Sequence, residues 1–326
     1  MLVQSAIIPS YHLFPPKRYL STSSSKDPTG SSLHQKMYSN EETDLWNFLQ
    51  IHPLINYVRL QWIDYSGILR TRFLPIDQCL KIAEGDEKFP IPQASMILPV
   101  STAPRSFPTG KYLETWILRP DWTSLRVCGF RPSHASVMCF VEHKEARSID
   151  SYCPRQLLCN SVRDYERNHY AQPLAGFEID VMLLGQDGDP LKDLDRLNSY
   201  QTSAGLRGQK LDIVEEIIEN LKLSSVHIQH FHTASHDQIQ FSLSPESLLN
   251  AVDSLIMAQE TIRTVFIRYN IRATMAPRPV FDGPTNGIYL HMSFDGITSP
   301  PADRFLGGIL DHMEALCALG MANVEQ

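Results

Sequence analysis

The chain has 326 residues, enough for one large domain or two unequal ones, and its 43% apolar and 20% charged composition, with a mean hydropathy of −0.20, is that of an ordinary globular protein. A formal net charge of −7 and a pI near 5.9 leave no basic excess for a nucleic-acid backbone, which excludes that partner class. No apolar run approaches the roughly 20 residues that span a bilayer, and six cysteines without a CxxC pair exclude zinc-finger spacing and read as reduced, mostly buried thiols.

The first forty residues are Ser-rich and acid-poor, with Lys17, Arg18, Lys26 and Lys36 against one acid, Asp27. That composition fits a disordered tail over 1–42, with an organellar transit segment as the alternative. Scarce Arg and the prolines Pro9, Pro15 and Pro16 count against an amphipathic targeting helix. The expected location is cytoplasmic, or mitochondrial if the tail is a transit segment.

From residue 55, "INYVRLQWIDYSGILRTRFLP" puts Val58, Leu60 and Trp62 on one face. "DYSG" then supplies turn chemistry before a second run, so a hairpin is predicted. Residues 90–110, rich in Pro, Ser and Thr, predict a loop region, followed by short strands at Thr115–Leu118 and Ser136–Val141. After "CPRQLL", Leu157, Leu158, Val162 and Tyr165 recur at helical spacing. "AGFEIDVMLLG" reads as a strand, and "GQKLDIVEEIIENLKL" as a helix with a stripe of Leu211, Val214, Ile217, Ile218 and Leu221. The histidine-rich "HIQHFHTASHDQIQF" (227–241) reads as one strand. A long helix is predicted to start at Ser244 as N-cap with Pro245 at N1. "RATMAPRP" and "GIYLHMSF" read as further strands, and "FLGGILDHMEALCALG" as the start of a helix. The pattern predicts an α+β fold with a dominant antiparallel sheet, and no internal repeat is visible.

The chemistry-bearing positions concentrate on two of these segments. Glu178 and Asp180 are two apart, so a strand aims both at one side. Two carboxylates in one cavity repel unless a cation lies between them, which points to a hard metal ion; a solvent-facing strand side is the other reading. His227, His230, His232 and His236 crowd ten positions, but no Glu follows any of them, so the HExxH zinc pattern is absent. His230, His232, Asp237, Gln238 and Gln240 can line a polar strand side, or each His can be exposed or satisfied by backbone. Arg278 in "APRP" has a donor fork suited to phosphate, and "GPTNG" is a turn by composition or a substrate loop.

Taken in order, "GFEID", "HFHTASHDQIQF", "ATMAPRPVFDGPTNGIYLHMSFDG" and "FLGGIL" resemble the glutamine synthetase family, which reads roughly pExEF, HHEvxxxQxE, aTFmPKPxxxxxGSGxHxHxS and FxxGiL. "VRLQWIDYSGILRTRFLP" resembles the family's N-terminal β-grasp-like domain, and "LRPDWTSLRV" and "CPRQLL" resemble its PDxxTlR and PRxvL segments. The resemblance covers residues 55 to 320. It implies a β-grasp-like N-terminal domain over 43–147. Over 148–326 it implies a catalytic domain, an incomplete one because the family continues further, with a curved antiparallel sheet flanked by helices.

What the resemblance implies for the site is a metal set of Glu178, Asp180, His232 and Gln240 for Mg²⁺ or Mn²⁺, with ATP as substrate. Three of these depart from the family: Asp180, one methylene shorter, stands at its second strand Glu, its "HHE" Glu falls on His232 and its "QxE" Glu on Gln240. Its metal-binding His falls on Tyr289, and its glutamate loop on Pro284 and Thr285. Arg278 takes the place of a Lys and is the catalytic candidate, while His291 and Ser293 face the nucleotide. The implied activity is ATP-dependent joining of glutamate to ammonia or to an amine, giving a γ-glutamyl-amine. The alternative is a catalytically inactive paralogue that binds or assembles with an active ligase ring. Partners implied are these substrates and a homo- or hetero-oligomer of ring-forming relatives, with no nucleic acid and no membrane.

Overall fold

Alternation at Val58, Leu60 and Trp62 builds the first strand, β1 (Tyr57–Ile63), whose three apolar side chains are buried. In the computed structural model the described residues are 39–97, 114–143, 153–169, 172–191, 195, 200–235, 237–280, 283–295 and 301–320. All lie in the second of two units, Tyr38–Gln326, the first being Met1–Met37. The expected tail therefore falls largely outside them, as do residues 98–110 of the expected loop and the expected boundary at 147/148. The boundary expected at 42/43 falls inside helix α1 (Ser39–Ile51).

β1 returns as β2 (Leu69–Pro75) through a turn that Asp64 organises. Its carboxylate accepts from the Ser66 and Ile68 amides at 2.9 Å and from Arg70 Nε at 2.8 Å, while Gly67 supplies the positive φ of +75°. Helix α2 (Ile76–Ala83) follows, then β3 (Phe89–Pro92), β4 (Thr115–Pro120), β5 (Arg126–Val127) and β6 (His134–His143). They form one sheet in the order β2-β1-β6-β4-β3, with β5 beside β6. β1 and β6 run parallel and the other pairs antiparallel, as the β-grasp expectation requires. Leu60, Trp62, Met96, Leu118 and Val137 pack with Leu45 of α1 and Cys79 of α2 into its core.

Helix α3 (Pro154–His169) leads to β7 (Gln172–Leu184), the spine of a second six-stranded sheet. β7 pairs antiparallel with β9 (Gln238–Leu243), β10 (Glu246–Ser247), β11 (Arg272–Thr274) and β12 (Ile288–Asp295). β8 (Ile228–Thr233) pairs with β9. One face buries Ile179, Val181, Ile239 and Phe241 against helices α4 (Gln209–Leu223) and α5 (Leu248–Arg268). α4 presents Ile213, Val214, Ile217 and Leu221, and α5 presents Ile262, Val265 and Phe266. Helices α6 (Pro301–Asp311) and α7 (Met313–Gly320) complete the described chain. No helix among the described residues is long and apolar enough to cross a membrane.

Two local expectations are corrected. Residues 227–241 are not one strand but the hairpin β8–β9, turned at Ala234–Asp237 with Asp237 at φ +61°. The long helix is capped at Ser247, not at Ser244, because Glu246 and Ser247 first pair with β7 as β10.

Candidate functional site

The face of the second sheet opposite α4 and α5 carries the predicted residues, and strand register decides which of them meet. Asp180 of β7 lies opposite Gln240 of β9, which lies opposite His232 of β8. The neighbouring row is Tyr289 of β12, Glu178, Ser242 and His230. Directly opposed residues on adjacent strands share a face, so four strands converge on one polar surface.

Asp180 is the hub of the first row and only 7% exposed. Gln240 Nε2 donates to its Oδ1 at 2.9 Å, and the Gly287 amide donates to its Oδ2 at 2.9 Å. The Tyr289 phenol faces the same carboxylate. Burial pushes the Asp180 carboxyl above its ordinary range, against the opposing pull of the Gly287, Gln240 and Tyr289 donors. Burial, and then the Asp180 charge, likewise raise the Tyr289 phenol. The tyrosine reaches Asp180 by folding back over Gly287: a Cβ there would stand 2.5 Å from Tyr289 Cζ.

In the second row Ser242 Oγ donates to Glu178 Oε1 at 3.2 Å, and His291 Nε2 lies 3.4 Å from Glu178 Oε2. His232 Nδ1 donates to the Thr233 carbonyl at 3.1 Å. Its ring meets the edge of Tyr200 at 4.9 Å and stacks against His230 at 6.0 Å. The approach to Asp180 is held by Asn286, whose Nδ2 donates to Thr274 O at 3.1 Å and Ala276 O at 2.8 Å. Gln238 Nε2 clamps the same segment through Asn286 Oδ1 at 2.8 Å and Thr285 O at 2.9 Å.

Glu178, Asp180, His232, Gln240 and His291 are thus brought onto one surface. Ser293 is exposed further along β12, opposite Leu174. Arg278 is exposed between β11 and β12 and makes no ion pair among the described residues. His236 lies outside them. The contributions of Tyr200 and Ser242 have no motif to announce them, and those of Asn286 and Gly287 lie in the "GPTNG" segment. Tyr289 was legible as a departure from the family pattern, but its contact with Asp180 depends on strand register.

The donor set can be tested against a divalent cluster. Both Asp180 oxygens already accept hydrogen bonds, and Gln240 turns its NH₂ toward them, as an amide beside a carboxylate must. Among the described residues, no three His, Cys, Asp or Glu side chains converge closely enough to hold a metal ion. With an amide at Gln240, an imidazole at His232 and a phenol at Tyr289, Glu178 and Asp180 are the two carboxylates left in these rows, too little negative charge to fit a cluster of two or three divalent cations.

The family model for the glutamine synthetase catalytic domain matches residues 151–325. Protein fluG of Emericella nidulans is 29% identical over 302 residues, covering 90% of this chain and 34% of that protein. Type-1 glutamine synthetase 1 of Dictyostelium discoideum is 25% identical over 300 residues, 82% of this chain and 60% of its own. A gamma-glutamylpolyamine synthetase, GlnA3, of Streptomyces coelicolor is 28% identical over 181 residues, 51% and 39% of the two chains. The chain therefore spans between about a third and three fifths of these relatives' length. Among solved structures, a GmaS/ADP complex superposes with a TM-score of 0.70 at 20% identity, covering 85% of this chain and 64% of that one. A glutamine synthase homolog superposes at 0.66 with 24% identity, covering 81% and 64%.

Proposed function

The chain belongs to the glutamine synthetase family, and from that premise we propose that it is a catalytically inactive relative of the ATP-dependent glutamate–ammonia or γ-glutamyl-amine ligases, acting by binding or by assembly with active, ring-forming relatives. The observation that carries this reading is the Gln240–Asp180 hydrogen bond. Where the family sets a carboxylate to hold a cation, this chain sets an amide that donates to its neighbour. Charge neutralisation is usually the main contribution to phosphoryl transfer, and a site left with two carboxylates to hold its cations supplies little of it.

A second reading is favoured by the Glu178–His291 pair and by the exposed Arg278. It keeps the ligase activity on a reduced set, with Glu178, Asp180, His232 and Gln240 toward Mg²⁺ or Mn²⁺, His291 and Ser293 toward ATP, and Arg278 toward the transferred phosphate. Glutamate and ammonia or an amine are its substrates.

ADP release separates the two. The purified chain is given ATP, Mg²⁺ or Mn²⁺ and glutamate, with ammonia, hydroxylamine or polyamines in turn. A folded sample, shown by a cooperative melt, is expected to release no glutamate-dependent ADP. Turnover that disappears in Glu178→Ala would replace the first reading by the second, and the best amine would name the substrate.

A further inference from the structure

Resting on the reading just proposed, we infer that Gln240, Gly287 and Tyr289 form one set that replaces the divalent cation of the family by neutral hydrogen-bond donors, so that this sheet is held together without metal. Two strand carboxylates aimed into one cavity need a counterweight. At Asp180 the counterweight is an amide, a backbone N–H and a phenol, all supplied by the chain itself. At Glu178 it is the Ser242 hydroxyl and the His291 ring.

The three members depend on one another. Gln240 removes one negative charge and presents two donors where a carboxylate would present none. Tyr289 stands where the family places a metal-binding His, and its longer side chain carries a hydroxyl back to Asp180. Gly287 gives that ring its path, since a Cβ would collide with it at 2.5 Å, and gives Asp180 its backbone donor at 2.9 Å. Gln240 and Tyr289 are the two departures and Gly287 is shared with the family's GSGxHxHxS pattern; a Glu at 240 would face Asp180 unscreened.

The test reads cation binding and melting, not turnover. Mn²⁺ titrations followed by electron paramagnetic resonance, and melts in EDTA and in Mn²⁺, are run on the 326-residue chain, on Tyr289→His and on Gln240→Glu with Tyr289→His. The natural chain is expected to show no saturable Mn²⁺ site and to melt identically in both media. The double variant regains carboxylate and imidazole ligands. It should bind Mn²⁺ at least about tenfold more tightly and melt higher in Mn²⁺ than in EDTA, since a ligand that binds only the folded state stabilises it. Should the double variant not fold, Tyr289→His alone is expected to lose melting temperature in EDTA and recover part of it in Mn²⁺. A saturable Mn²⁺ site in the natural chain that Glu178→Ala abolishes would overturn the inference. So would a folded double variant that binds no better than the natural chain. ADP turnover without a saturable Mn²⁺ site would sink the proposed function and leave this inference standing, and a saturable site without turnover would do the reverse.

Discussion

Arg155, in the first turn of α3, holds Asp253 of α5 with both terminal nitrogens while its Nη2 also reaches Asp121 Oδ2 at 2.7 Å. The guanidinium therefore ties the segment after β4 to the helix that backs the second sheet. Its side chain is 9% exposed and that of Asp253 3%, so neither charge has water as a substitute partner. Replacing Arg155 by Met is expected to cost about 3–5 kcal/mol, because it strands a buried carboxylate. Arg155→Met combined with Asp253→Leu should recover much of that loss. Urea unfolding of the three variants measures both quantities, and a single variant within experimental error of the natural chain would refute the clamp.

A second link between the same regions is steric. An ideal Cβ on Gly129 would lie 1.9 Å from the Asn220 carbonyl oxygen at the end of α4. The Gly129 amide donates to Ser224 Oγ at 3.0 Å, and Cys128 and Phe130 on either side are buried in the core of the second sheet. Backbone meets backbone here, so no flexible side chain can give way. Gly129→Ala is expected to destabilise by about 1–3 kcal/mol as an overpacked site, and Ser224→Ala by about 1 kcal/mol for the lost hydrogen bond. Chemical denaturation checks the ranking; a Gly129→Ala variant as stable as the natural chain would show that the contact is loose.

The sequence carried β7 well and the hairpin beside it poorly, for physical reasons. In β7 the alternation of Ile179 and Val181 with Glu178 and Asp180 reflects one face on a core and one on a polar surface. Between β8 and β9 the sequence holds no Gly or Pro, and Asp237 adopts the left-handed region that Asp tolerates better than most residues. That leaves almost no compositional mark. The start of α5 shifted because Glu246 is drawn toward Ser254, which donates to it at 2.7 Å, and toward Arg126 at 3.8 Å. Arg126 lies far from it in sequence. The pairing of Gln240 with Asp180 rests on register across two strands 60 residues apart, which spacing alone does not encode.

Burial makes the thiols a pH probe of the fold. Cys79 is pushed up to about 12 and Cys128 to about 11 by desolvation, and Cys139 is raised further still by the same cause. At pH 8 iodoacetamide should modify the partly exposed Cys159 and Cys317 first and the four buried thiols, Cys79, Cys128, Cys139 and Cys153, only on unfolding. Unfolded thiols ionise near 9.0, below their folded values. The folded state then binds more protons above that pH, so this contribution is intact below about pH 9 and is lost as pH rises toward 11 and 12. The urea midpoint should fall between pH 8 and pH 10.5, and fall less in Cys79→Ala with Cys128→Ala. An equal fall in both proteins would assign the alkaline loss to other groups.

Asn286 tests whether the site face is preorganised by its approach loop. It is 8% exposed and spends its whole amide on Thr274 O, Ala276 O and Gln238 Nε2. This fixes the residue immediately before Gly287, and with it the amide that donates to Asp180. Asn286→Ala removes three hydrogen bonds, the one to Gln238 fully buried, and is expected to cost about 1–3 kcal/mol. A purely global loss would raise hydrogen exchange everywhere in proportion. The local role predicts instead that protection falls most at Gly287 and along β12 near Tyr289, with the α4–α5 core little changed. Hydrogen exchange read by mass spectrometry distinguishes the two. Uniform deprotection would mean that Asn286 is an ordinary core contact, and that the donor geometry at Asp180 is set by the strands alone.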